Sequence, residues 1–227
     1  MPVTHDAQTG QNGAMRLFAA IVPPEAVLEE VRDAVTGVRT STAPAKEAKR
    51  GLFGRRSGGR ADVVEVASHE ELVIPTLLEM YLPVTHFGNV TQGDSVQLAR
   101  ALRTEARTWE RPTVRFSGGT ALEFKGDESV WAKLEGDLDA LMTIGRGVPQ
   151  IVQRLGFFVD RRQFRPWLSV GTITDKTTPP YLGALVAALD GLSSNKWTVE
   201  TVSLMRRLPD EGPQAFEVME ELPLAEG

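Results

Sequence analysis

Two short stretches carry side chains whose types and spacing could act together. In Met80-Tyr81-Leu82-Pro83-Val84-Thr85-His86-Phe87-Gly88, a strand reading puts Met80, Leu82 and Val84 on one face and Tyr81, Pro83 and Thr85 on the other. In Phe164-Arg165-Pro166-Trp167-Leu168-Ser169-Val170-Gly171, Leu168 and Val170 point into the core, while Trp167 and Ser169 share the opposite face. Two strands built alike predict a cleft with two matching walls. The chemistry of those walls is mainly that of binding: Tyr81 and Trp167 can stack a base, and Ser169 with Arg165 can hold a phosphate. Neither aromatic is an acid–base catalyst near neutrality, because indole does not titrate there and a phenol titrates near ~10.

Other reactive groups are scarce. The 227 residues include no Cys, which excludes a disulfide framework, a thiolate nucleophile and Cys-ligated metal. Imidazole chemistry is limited to His5, His69 and His86. Strict alternation turns His86 inward with Met80, Leu82 and Val84 as a structural side chain, and only a bulge at Pro83 would rotate it outward. No metal site and no cofactor are expected.

The elements that must position these residues follow from periodicity. Residues 15–22 read as a buried strand ended by Pro23-Pro24, and Val27, Leu28, Val31, Ala34 and Val35 recur at helical spacing up to Gly37. A short strand is expected at 63–66, and Asp94 is read as the cap of a helix running to Trp109. Strands at 113–116 and 129–134 are joined through Gly118-Gly119 and a Gly126-Asp127 turn. A helix over 138–155 has Gly145 and Gly147 weakening its middle and Gly156 as its stop. Pro179-Pro180 opens a helix over 181–189, and strands at 197–208 and 215–222 close the chain. The strand–loop–helix order recurs after both cleft strands. The expected fold is therefore α+β and bilobal, with two pseudo-symmetric antiparallel sheets and helices packed on the outer faces, not a parallel doubly wound sheet.

Residues 1–14 read as a disordered leader, and 15–227 as a single bilobal domain interrupted by a flexible basic insertion at 38–62. That insertion holds seven of the Lys and Arg residues against Glu47 and Asp62, within a chain of net charge −5. Lys46, Lys49, Arg50, Arg55, Arg56 and Arg60 are the candidate RNA-contact residues, since clustered cations neutralise phosphates without a fold of their own; the alternative is a solvated loop. The 54–61 glycine spacing lacks the Lys-Ser/Thr of a phosphate loop and is rejected as one. No stretch reaches the roughly 20 apolar residues that span a bilayer, so a cytoplasmic location is expected, and the protein is expected to be a monomer.

With that order in view, the chain resembles the 2H phosphoesterase superfamily, specifically the bacterial 2′-5′ RNA ligase or RNA 2′,3′-cyclic phosphodiesterase (LigT-like) family. Met15-Arg16-Leu17-Phe18-Ala19-Ala20-Ile21 with Pro24-Glu25 is similar to that family's first strand and helix start. Phe164–Gly171 is similar to its second motif, Phe-Arg-Pro-His-Leu-Thr-Leu-Gly, and Val202-Ser203-Leu204-Met205-Arg206 to its penultimate strand. The resemblance implies two His-x-Thr/Ser motifs facing a central cleft, their imidazoles acting as acid and base on a cyclic phosphate. Here Tyr81 and Pro83 stand at the first motif, and Trp167 and Ser169 at the second, so only Ser169 keeps its chemistry. Losing one acid–base catalyst costs about 10²- to 10⁴-fold, and both are absent. The expectation is a pseudoenzyme that binds RNA ends or nucleotides with a terminal or cyclic phosphate. The alternatives are a phosphodiesterase working through displaced residues and a protein-interaction scaffold.

Overall fold

The structure, a computed structural model, describes residues 14–41, 71–160, 162–208 and 215–225. Within them the chain runs β1 (Met15–Ile21), α1 (Glu25–Ser41), β2 (Leu72–Val73), a 3₁₀ turn (Leu77–Glu79), β3 (Leu82–Val90), α2 (Gln92–Ala106), β4 (Thr113–Ala121) and β5 (Ser129–Gly136). It continues through α3 (Leu138–Arg154), β6 (Trp167–Ile173), α4 (Pro179–Asp190), β7 (Trp197–Thr198), β8 (Thr201–Arg207) and β9 (Phe216–Pro223). All strand pairs are antiparallel and fall into two sheets, β3-β1-β8-β9 and β2-β6-β5-β4-β7. The expected α+β fold with two antiparallel sheets is what forms.

One continuous core joins the lobes. Leu17, Ala19, Ile21, Leu82 and Val84 from the first sheet pack in the same buried cluster as Val130, Ala132, Leu168 and Val170 from the second. Helices α2 and α3 cover the first sheet, meeting β9 and β3, whereas α1 and α4 cover the second, meeting β6 and β4. Thus α1 leaves the first sheet only to pack on the other lobe, and α3 makes the reverse crossing.

Several local expectations change. Thr91, not Asp94, is the N-cap of α2: its side chain accepts from the Asp94 N–H at 3.2 Å, and Asp94 lies within the first turn. Gly118 and Gly119 sit inside β4 at a bulge, and a longer loop through Leu122 and Gly126 carries the reversal. The expected strand over 197–208 is divided between the sheets as β7 and β8. Helix α1 runs on to Ser41, past residue 38 where the loop is expected to begin. Residues 1–13 of the leader expected over 1–14, the strand at 63–66, and most of the basic insertion, with Lys46, Lys49, Arg50, Arg55, Arg56 and Arg60, lie outside the described residues.

The glycines of α3 are a packing device. A Cβ on Gly145 would lie 2.2 Å from the Phe164 ring, and one on Gly147 would lie 2.5 Å from Trp109. Gly145 therefore admits Phe164, the residue that leads the chain into Trp167.

Candidate functional site

Each sheet has a second face, away from the shared core, and the motif positions lie there. On the first sheet β1 alternates cleanly: Leu17, Ala19 and Ile21 enter the main core, while Phe18 and Ala20 join Met205 in a small separate cluster with Tyr81 and Phe216. β3 does not alternate cleanly against it. Ala20 pairs with Pro83 but Ala19 with Thr85, which makes Val84 an extra residue; Phe18 pairs with His86 but Leu17 with Gly88, which makes Phe87 another.

Two corrections follow, because directly paired residues share a face. Thr85, expected on the cleft side, is paired with the core residue Ala19 and is buried, its Oγ1 finding no partner among the described residues. His86, expected to point inward, emerges beside Phe18 with ring centroids 5.5 Å apart. The bulge that releases it has its extra residue at Val84, next to the Pro83 where the sequence allowed for one.

Tyr81 packs against Phe18 at 5.3 Å and edge-on to Phe216 at 5.2 Å. Arg207 donates from Nη2 to the Tyr81 hydroxyl at 3.3 Å, and its guanidinium carbon lies 5.3 Å from the Phe18 ring centre. Burial pushes the Tyr81 phenol above its ordinary pKa, against the opposing pull of Arg207. Burial also lowers the His86 pKa, and Arg207 adds to that effect, so the imidazole is neutral at pH 7. Along the same face a cavity of about 310 Å³ is lined by Arg16, Leu17, Phe18, His86, Gly88, Asn89 and Arg207.

The second face is built by β6, β5 and β4. Trp167 pairs with Lys133, and Ser169 with Trp131, which pairs in turn with Thr120. The two indoles lie 6.3 Å apart at 49°. Arg165 sits with its guanidinium carbon 4.8 Å from the Trp167 ring and 5.1 Å from that of Phe124. Buried Asp127 secures the adjoining loop: it accepts from Trp131 Nε1 at 2.9 Å and from the N–H groups of Glu123 and Ser129, each at 3.1 Å.

Thus Arg165 and Trp167 are brought into contact, with half-buried Ser169 two residues along the same strand, while Pro83 belongs to the other sheet and Tyr81 immediately precedes its strand β3. Phe18, Arg207, Phe216 and Trp131 are not among the site residues expected from the sequence, although the alternation of Arg16, Phe18 and Ala20 in β1 carries a usable signal. No group of three or more His, Asp or Glu side chains suited to a metal ion occurs among the described residues. No helix among them is long and apolar enough to cross a membrane.

No protein-family model and no curated protein matches the sequence. Solved structures do match along nearly its whole length, and they define the class of fold. TT0787 of Thermus thermophilus superposes with a TM-score of 0.60 at 19% identity, covering 94% of this chain and 100% of that one. E. coli LigT complexed with 3′-AMP gives a TM-score of 0.60 at 14% identity, covering 94% and 99%. A third structure, described as a phosphoesterase, gives 0.59 at 13% identity with the same coverage. The fold is the bilobal LigT-like fold of the 2H phosphoesterases.

Proposed function

We propose that this protein is a member of the bacterial 2′-5′ RNA ligase or RNA 2′,3′-cyclic phosphodiesterase family that has lost the paired-imidazole chemistry and binds nucleotides or RNA ends between its aromatic sheet faces. One observation carries the reading: at both motif positions an aromatic ring stands beside a guanidinium, Tyr81 with Arg207 and Trp167 with Arg165. A ring face accepts a base and a guanidinium accepts a phosphate, so the pairing suits a nucleotide. E. coli LigT has been crystallised with 3′-AMP, NADP+, phosphate and ATP, which supports the same ligand class. The Lys and Arg residues of 38–62 add a salt-sensitive RNA contact in this reading.

Catalysis by the usual route is missing, because the Tyr81 phenol stays protonated at neutral pH and indole carries no exchangeable proton of suitable pKa. His86 favours a second reading, hydrolysis through displaced residues. A neutral imidazole on the Tyr81 face would take a proton from water as the phenol protonates the departing ribose oxygen. Calorimetric titration with a 2′,3′-cyclic nucleotide and with a nucleoside 3′-monophosphate, beside a hydrolysis assay, decides the matter. Binding without turnover is expected. Absence of heat with millimolar ligand sinks the binding reading, and turnover that disappears in His86→Gln establishes the second.

A further inference from the structure

We propose that the cavity lined by Arg16, Phe18, His86, Asn89 and Arg207 is an anion site that takes the terminal phosphate of a nucleotide, displaced along β1 and β3 from the motif positions Tyr81 and Pro83. The inference rests on the nucleotide-binding reading for the identity of its ligand, but not for the site itself. Its geometry comes from strand pairing. Arg16 is paired with Asn89, and Phe18 with both His86 and Met205, so Arg16, Phe18, His86 and Asn89 share one face, and Arg207 reaches that face over the Phe18 ring.

Among the described residues the lining contains two guanidinium groups, an imidazole and a carboxamide, in about 310 Å³. In such a lining a bound anion accepts charge-assisted hydrogen bonds from Arg16 and meets the positive charge of Arg207. A phosphate monoester offers the several oxygens that such donors require. Asp160, whose charge acts on His86, is also engaged with Arg162: its Oδ2 lies 3.6 Å from Arg162 Nε, and its Oδ1 accepts the Arg162 N–H at 3.1 Å. The Asp160 N–H donates to the His86 carbonyl at 3.1 Å, which ties the segment after α3 to β3. The groups that act on the imidazole are therefore Arg207 from β8, and Asp160 and Arg162 from that segment, with Arg16 on β1 sharing the cavity. Phosphate entering here brings negative charge to a neutral His86 and favours its protonation.

Histidine NMR on the full chain tests the site, the His86 resonance being assigned by its loss in His86→Gln. Inorganic phosphate at millimolar concentration is expected to shift that resonance saturably. Arg16→Gln, a change at an exposed position, should raise the half-saturation concentration about tenfold, the scale of one lost charge-assisted hydrogen bond. Asn89→Ala provides a second exposed variant expected to weaken the shift, should Arg16→Gln disturb the fold. A resonance that phosphate does not move, or moves equally in both variants and wild type, overturns the proposal. Heat from a nucleoside 3′-monophosphate without movement of His86 also overturns it and leaves the nucleotide reading standing. A phosphate-driven shift with the nucleoside 3′-monophosphate binding no tighter than phosphate sustains the site and removes the nucleotide reading.

Discussion

His86 and Phe18 are cross-strand partners with ring centroids 5.5 Å apart, because β3 carries extra residues at Val84 and Phe87 that β1 does not match. The sole histidine among the described residues thereby reaches the face that also holds Tyr81 and Arg207.

This position has a pH signature. Folding lowers the His86 pKa through burial, so below the unfolded value of ~6.5 the unfolded chain binds the proton more readily. The stabilising effect is complete above that value and is lost as pH falls from there through the lower folded value. His86→Gln should flatten this part of the urea-midpoint-versus-pH curve; an unchanged slope would show that His86 titrates normally.

The Thr85 hydroxyl is the counterpart of the same displacement, buried on the core side without a partner among the described residues. Thr85→Val should raise stability by about 1 kcal/mol, since an unsatisfied buried polar group is replaced by a methyl of similar size. Destabilisation in urea melts would mean that the hydroxyl has a partner after all.

Gly145→Ala tests the link between α3 and the second motif strand. Alanine favours an exposed helix interior by about 1 kcal/mol, but here the new methyl meets the Phe164 ring. Overpacking should win, with a net loss of about 1–3 kcal/mol and a shift in tryptophan emission as Trp167 moves. A stabilised variant would refute the contact.

Asp127→Ala removes the acceptor for the Trp131 indole N–H and two backbone N–H groups. A loss of about 2 kcal/mol or more is expected, with tryptophan fluorescence altered before the main unfolding transition. A single transition at the wild-type midpoint would show that the loop is held by other means.

The combined Tyr81→His, Pro83→Thr, Trp167→His variant addresses the lost chemistry directly. If the cleft has kept its geometry, this variant gains hydrolysis of a 2′,3′-cyclic phosphate that wild type lacks, by at least about 10²-fold, the lower end of what one acid–base catalyst supplies. A fully folded variant with no activity would show that the two faces no longer meet a common substrate.

Much of the fold is legible in the sequence because periodicity reports burial: Leu17, Ala19 and Ile21, or Leu168 and Val170, can face only a core. The start of α2 is ambiguous there because Thr91 and Asp94 both offer capping oxygens, and only geometry shows that Thr91 accepts the Asp94 N–H. The division of 197–208 into two strands is hidden because an unbroken β-rich run does not reveal a change of sheet. The site is the least legible part. Alternation fails at a bulge, and one extra residue at Val84 is enough to exchange the roles of Thr85 and His86.

The sheet order also sets a timetable for the chain. β1 lies between β3 and β8; it is complete by residue 21, yet its second partner arrives only at 201–207. During synthesis the first sheet therefore waits, with one edge of β1 unpaired, until residues 201–207 have emerged. Long-range pairing of this kind slows folding and leaves an aggregation-prone edge exposed. A chain ending at Glu200 should associate in light-scattering measurements where the full chain does not, which makes the C-terminal hairpin the closing step of folding for the lobe that begins at the N-terminus.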